Sequence, residues 1–310
     1  MQLTNRRVRL MGTVIDVSIY HKEPEPLLDQ VEALLHTYNK RFSANDNSSE
    51  LMKINKAAGL HPVTVHPELF ELISLGKWHS CQPGSHLNIA IGPLIQTWRI
   101  GFSDAKLPLP EEIRPLLDII NPNAILLSEE NQSVFLQEKG MKIDLGALAK
   151  GYIADRIADF LKAEKVTSAL INLGGNVLTF GPALHNPDQK WRIGIQNPKE
   201  TRNTNLMVLA IRDKSVVTSG IYERTFEIDG KTYHHIFNSQ TGYPVSSDLA
   251  SLTIISSLSV DGEIWTTRLF GSSLEHIFQE VSSQAELEAI IVDKDNHCFQ
   301  TGGIYKMRIS

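Results

Sequence analysis

Three stretches of this chain carry residue types able to act on an anionic substrate. The first is Asp144-Leu-Gly-Ala-Leu-Ala-Lys-Gly-Tyr-Ile-Ala-Asp155. It sets a carboxylate, a glycine and a lysine at the mouth of a helix, where free backbone N–H groups attract anions and Lys150 adds a full positive charge. The G-x-x-x-x-G-K-S/T spacing of a P-loop is absent. The same residues also suit a plain helix capped by Asp144, with Lys150 merely solvated. The second stretch is Val217-Thr-Ser-Gly-Ile-Tyr-Glu-Arg224, continued by Asp229 to Pro244. Thr218, Ser219 and Gly220 offer hydroxyl and backbone donors, and His235 can act as a general base near neutral pH. His234 and His235 are adjacent, so on a strand they face opposite sides and at most one enters a given site. Incidental turn residues in a hairpin are the alternative. The third stretch is Ser259 to Thr267. Glu263 and Thr267 are four apart and share a helical face, where a carboxylate and a hydroxyl offer hard oxygen ligands suited to Mg²⁺. A first-turn acid favoured by the helix dipole would read the same way.

The elements that must position these groups follow from periodicity and turn residues. Val8 to Tyr20 reads as strand broken at Gly12, and Leu27 to Tyr38 as an amphipathic helix. Ser43 to Ser49 is a polar loop, and Pro67 to Ser80 a helix stopped by Pro83-Gly84. Trp98 to Pro110 reads as an irregular connection, Ala124 to Gln137 as a hairpin. A helix follows Asp144. Strands are expected at Ala169–Leu173, Val177–Phe180, Arg192–Ile195, Leu206–Ile211, Thr225–Ile228, Tyr233–Phe237 and Leu252–Ile255. Asp229-Gly230 is a hairpin turn between two of them. Helices near Glu263–Phe270 and Leu274–Ser282, then Ala289–Val292 and a terminal strand, complete the chain. Strands adjoin strands more often than they alternate with helices, so the fold class is α+β. No linker divides the chain, which is expected to form a single domain over residues 1–310.

Composition narrows the function classes. The 310 residues carry 30 Lys+Arg against 35 Asp+Glu, a net charge of −5. That balance argues against a nucleic-acid binder, which carries a basic excess or stripe. Hydrophobic residues at 42% exclude a disordered chain. The two cysteines, Cys81 and Cys298, make no disulfide framework and no thiolate metal site. Unpaired thiols in a reducing compartment are expected. No apolar run reaches the length of a membrane span and none follows the N-terminal arginines as a signal peptide requires. The expected location is the cytoplasm.

The ordered set Met11-Gly-Thr, Phe42-Ser with Ser49-Glu-Leu and Ile54-Asn, Ile91-Gly-Pro-Leu with Trp98, Asp144–Asp155, Leu173-Gly-Gly-Asn176, Thr218-Ser-Gly, His235-Ile and Thr241-Gly-Tyr-Pro resembles the ApbE family. These are the FAD:protein FMN transferases, and the resemblance covers nearly the whole chain. It implies mixed, largely antiparallel sheets with packed helices, in a T-fold-like arrangement of two closely packed subdomains. It also implies a Mg²⁺-dependent enzyme that splits the diphosphate of FAD. The FMN half moves to a threonine or serine hydroxyl of an acceptor flavoprotein. Some members instead hydrolyse FAD to FMN and AMP.

By position, the resemblance puts Met11 and Asn45 at the border of the FAD site, with Leu87 and Asn88 lining it. Asp144 and Lys150 would hold FAD and Ile236 would pack near it. Ala147, through its backbone oxygen, would join Glu263 and Thr267 around Mg²⁺. His235 is the candidate base for the acceptor hydroxyl. Three positions depart from the family pattern. Leu87-Asn-Ile-Ala90 stands where Phe-Asp-Ile-Thr is usual, Asn45 where tyrosine is common, and Glu263 where the late metal acid is usually Asp. Two further readings stand: an FAD pyrophosphatase, the same site with water in place of the hydroxyl, and, motivated by these departures, a non-catalytic FAD-binding protein.

Overall fold

The computed structural model describes residues 2–309. The chain opens with strands β1 (Leu3–Leu10) and β2 (Thr13–Tyr20), then helices α1 (Pro24–Phe42) and α2 (Glu50–Lys56). A short β3 (Val63–Thr64) precedes α3 (Pro67–Ser80), α4 (Gly92–Trp98) and α5 (Pro110–Leu117). Next come β4 (Ile125–Ser128), β5 (Ser133–Leu136), α6 (Ala149–Ala163), β6 (Ala169–Leu173) and β7 (Asn176–Phe180). Strands β8 (Trp191–Gln196), β9 (Asn205–Ile211), β10 (Ser215–Gly220), β11 (Thr225–Ile228), β12 (Lys231–His234) and β13 (Leu249–Ser256) follow. The chain ends with α7 (Ser259–Leu269), α8 (Leu274–Ser283), β14 (Glu288–Asp293) and β15 (Cys298–Gln300).

The α+β class holds, and every strand pairing within the named sheets is antiparallel. Eight strands form the main sheet in the order β1-β2-β6-β7-β10-β13-β14-β15. Both of its faces are covered, which explains the unbroken apolar runs of its inner strands. On β13 and β14, Ile254 and Ile291 join a core shared with α1, α3, α6 and α7. Their neighbours Ile255 and Ile290 point the other way, into a second core closed by the β8–β9 hairpin. Truncating Ile254 to Ala would remove about 2–5 kcal/mol. A third, smaller cluster of Leu94, Trp98, Ile100, Ile113, Ile120 and Phe237 lies under the β11–β12 hairpin.

Several boundaries differ from expectation. Val8 to Tyr20 is not one broken strand but the turn and inner arm of a hairpin: Met11 (φ 54) and Gly12 (φ 70) form a two-residue loop with both φ positive. Asp229 (φ 50) and Gly230 (φ 71) make the same turn between β11 and β12, as their sequence requires. The second of those strands ends at His234, before Phe237 is reached. Helices α2, α4 and α5 and strand β10 carried no expectation. Strand β10 lies inside the main sheet between β7 and β13, and its Thr-Ser-Gly ending disguised a buried strand as a loop. Cys81 and Cys298 are unpaired, as expected.

Candidate active site

Helices α6 and α7 bring the first and third chemical stretches together. Gly151 lets them touch: a Cβ there would sit 2.6 Å from the Ser259 carbonyl oxygen and 2.7 Å from the Val260 Cα. One turn further along α6, Asp155 accepts from the backbone N–H groups of Ser259 (2.8 Å) and Val260 (2.9 Å). It thereby satisfies the orphan donors at the start of α7. Burial outweighs those two hydrogen bonds and pushes the Asp155 carboxyl up to about 6. On its other side α7 is pressed against β10, where a Cβ on Gly262 would lie 2.5 Å from Val217.

This clamp fixes Glu263. Its side chain is almost fully buried, and Oε1 accepts from Lys150 Nζ at 2.5 Å and from Asn176 Nδ2 at 2.9 Å. Asn176 Oδ1 in turn accepts from the Ser259 hydroxyl, which lies 3.0 Å from that of Ser215. The chain Ser215–Ser259–Asn176–Glu263–Lys150 thus orients one carboxylate by groups from β7, β10, α6 and α7. Among the described residues Glu263 Oε2 accepts no hydrogen bond, so its lone pairs are available. Thr267, half-buried, stands one turn along the same face of α7. Ala147, also half-buried, is three residues before Lys150 at the approach to α6.

Asp144 is not the cap of that helix. Helix α6 starts at Ala149 with Leu148 in the capping position, and Asp144 Oδ1 accepts from Gly146 N at 2.8 Å in the preceding turn. Two contacts hold this turn. Asp144 N donates to Ile89 O at 2.9 Å, which lays the Leu87–Ile91 segment beside it. Asn55, buried on α2, pairs with both backbone groups of Ile143 (Nδ2 to O, 3.0 Å; N to Oδ1, 2.7 Å).

Leu87 is fully buried in the main core. The Asn88 amide is engaged within the protein, donating to Ile120 O at 2.8 Å and Ser239 Oγ at 3.2 Å and accepting from Ala90 N at 2.8 Å. Its side chain therefore braces this segment from within the protein. Met11 is half-buried at the β1–β2 turn, next to the Gly174-Gly175 turn whose Gly174 N donates to Val14 O at 3.1 Å. Asn45 is exposed in the loop joining α1 and α2. Ile236 packs, partly buried, against the main core.

The second chemical stretch folds over this crevice. His235 Nδ1 lies 3.3 Å from the Arg224 carbonyl oxygen. A carbonyl only accepts, so Nδ1 carries the proton and Nε2 keeps its lone pair. Burial, with the charges of Arg224 and Lys150, holds the imidazole well below its ordinary value, at about 4. Asp144 is raised by burial and pulled back by the Gly146 N–H and the Arg224 charge. Both side chains are ringed by protein yet partly open to water. We take the space these side chains border as the candidate crevice. The 218–220 segment departs from expectation in one respect: Thr218 Oγ1 is paired with Thr253 Oγ1 across the sheet at 2.8 Å.

A cavity of about 420 Å³ between Leu206, Phe278, Phe299 and Tyr305 shares no residue with this crevice. Among the described residues no three His, Cys, Asp or Glu side chains converge on a point. A cation here would draw most of its shell from neutral oxygens and the substrate's own phosphates. Asn176, Asp155, Asn55 and Arg224 carried no role in the sequence reading. Only Gly174-Gly175-Asn176, Ile54-Asn55 and the ends of the other motifs hinted at them.

A buried carboxylate thus meets a lysine across two touching helices. Residues 11–291 match the ApbE family, and the chain belongs to it. It is 44% identical over 286 residues to an FAD:protein FMN transferase of Klebsiella pneumoniae (strain 342), covering 92% of this chain and 88% of that one. It is 33% identical over 315 residues to the FAD:protein FMN transferase of Treponema pallidum (strain Nichols), covering 97% and 87%. The fold matches the crystal structure of the ApbE protein from Thermotoga maritima with a TM-score of 0.91, at 24% identity over 100% of both chains.

Proposed function

We infer that this chain transfers the FMN half of FAD to a threonine or serine hydroxyl of an acceptor flavoprotein, with Mg²⁺ as its metal. The observation that carries the reading is the Glu263 carboxylate, held on one oxygen by Lys150 and Asn176 beside the turn that carries Asp144. Relatives that bear the FAD:protein FMN transferase name share nearly the full length. Long-range contacts such as Asn55–Ile143 and Lys150–Glu263 suit residues 1–310 acting as one catalytic unit. The unpaired Cys81 and Cys298 suit the cytoplasm. Among the described residues no helix is long and apolar enough to cross a membrane.

The donor set fits Mg²⁺, since all of it is hard oxygen: Glu263, the Thr267 hydroxyl and the Ala147 carbonyl would hold the ion. Bound there, Mg²⁺ would offset diphosphate charge as a nucleophile approaches phosphorus. Lys150, already in the crevice, supplies a second positive charge for the phosphates. Met11, Asn45, Leu87, Asn88, Asp144 and Ile236 would border the FAD. His235 is neutral and keeps Nε2 unprotonated, so it can accept the proton of the incoming hydroxyl.

Incubating the protein with FAD, Mg²⁺ and an acceptor flavoprotein should give a fluorescent label that survives denaturation. Failure to label any acceptor, with or without the metal, would sink the reading. The exposure of Asn45, where the family commonly has a tyrosine ring, favours a second reading in which water replaces the hydroxyl. AMP and FMN would then appear at the full rate without acceptor.

A further inference from the structure

We propose that Arg224 is a catalytic residue of this reaction, its guanidinium gripping the phosphoryl group that passes from AMP to the acceptor oxygen. The proposal rests on the FMN-transfer reading and deepens it. Three observations converge. First, the stem of Arg224 lies flat on the backbone of Gly101. A Cβ at 101 would be 3.1 Å from Arg224 Cδ and 3.6 Å from its Cβ and Cγ. Gly101 has φ +91, a conformation other residues resist, so this bed is built for the arginine. The bed is itself anchored. Trp98, fully buried, donates from Nε1 to Gly242 O at 2.9 Å and packs against Tyr233, Phe237 and Tyr243.

Second, among the described residues no carboxylate lies within ion-pair reach of the guanidinium. The other arginines at the foot of this small core and around α1, such as Arg99 and Arg41, are paired with Asp104 and Glu68. Third, the Arg224 charge acts on both Asp144 and His235, the residues on the two walls of the crevice. With its stem on Gly101 and its carbonyl beside His235, the exposed and unpaired guanidinium is free to meet a diphosphate oxygen with two parallel N–H donors.

The chemistry balances without any further reactant. The acceptor oxygen attacks the FMN phosphorus, a new P–O bond forms, and the bond from that phosphorus to the bridging oxygen breaks. The hydroxyl proton goes to His235 Nε2, and AMP departs carrying the electron pair on its phosphate oxygen. Arg224 serves this step twice. Its guanidinium takes up charge that grows on the phosphoryl oxygens. Its carbonyl oxygen holds Nδ1–H, so Nε2 faces the proton.

The test uses the full chain with Arg224→Met and Arg224→Lys. Arg224→Met should lower kcat by about 100-fold or more while FAD affinity falls by less than about 10-fold. Arg224→Lys should recover only part of the rate, because a point charge lacks the planar fork. The separate readout is the His235 imidazole, followed by NMR in protein without FAD. The charged and titratable groups facing that ring are Arg224, Lys150 and His234. Removing the first should raise its titration midpoint by about one pH unit. A kcat within about threefold of the parent, or a loss confined to FAD affinity, overturns the proposal. An unlabelled acceptor with the parent protein would count against the function itself, and the NMR titration still reads the Arg224–His235 coupling.

Discussion

The two walls of the crevice are built on different principles. The Glu263 wall lies between touching helices and the main sheet, and its carboxylate is tied through Asn176, Ser259 and Ser215 into the protein interior. The His235 wall hangs on the β11–β12 hairpin, a two-stranded sheet supported by a small separate core. Its histidine is held by a single 3.3 Å contact to a backbone carbonyl. The difference suits what each side would meet in the proposed reaction. On the proposed function a cation and a diphosphate would be the same in every turnover, so a rigid wall can be preorganised for them. An acceptor protein must approach and leave, and a wall on a hairpin can give way as it does.

The comparison can be broken most directly through Trp98, the central residue of the small core. Trp98→Ala should cost about 3–5 kcal/mol of stability. Hydrogen exchange should rise first across residues 225–244, with the main sheet still protected. Equal loosening of both would show that the walls are one mechanical unit. On the rigid side, Glu263→Gln keeps the hydrogen-bond geometry and removes the charge. Transfer should fall about 100- to 1,000-fold and respond only to much higher Mg²⁺. A parent-like Mg²⁺ titration would remove Glu263 from the metal.

Asp155→Ala leaves two N–H groups at the start of α7 without their partner, and should destabilise the fold by about 1–3 kcal/mol. The smallest effect expected is a pH dependence at the same position. The Asp155 carboxyl is raised to about 6 against an ordinary 3.8, mainly by burial. A raised carboxyl binds its proton more tightly in the fold than when unfolded, so its contribution falls as pH rises from about 4 to 6. Denaturant midpoints should therefore show the parent's advantage over Asp155→Asn shrinking across that window. A gap of constant size at both ends would disprove it.

Local features were legible because their causes are local. Pro67 at the head of α3, the Asp229-Gly230 turn and the apolar run of β13 each name their own structure within a few residues. The α6 stretch and Glu263–Thr267 were legible as chemistry for the same reason, since helical spacing puts them on one face. What escaped were groups whose meaning lies in a distant partner. Asp155 matters through Ser259 and Val260, Asn55 through Ile143, and Arg224 through Gly101. No periodicity within a helix or strand announces such pairings. Strand β10 escaped for another reason: Thr218 and Ser219 look like loop residues until Thr253 is seen opposite.

Gly151 has one more consequence. Because α6 and α7 meet there backbone to backbone, the interval between Lys150 and Glu263 is gauged by a missing methyl group. Any larger residue would prise the rods apart and lengthen or break that ion pair. The reach between two charged side chains is therefore set by a position that has no side chain of its own.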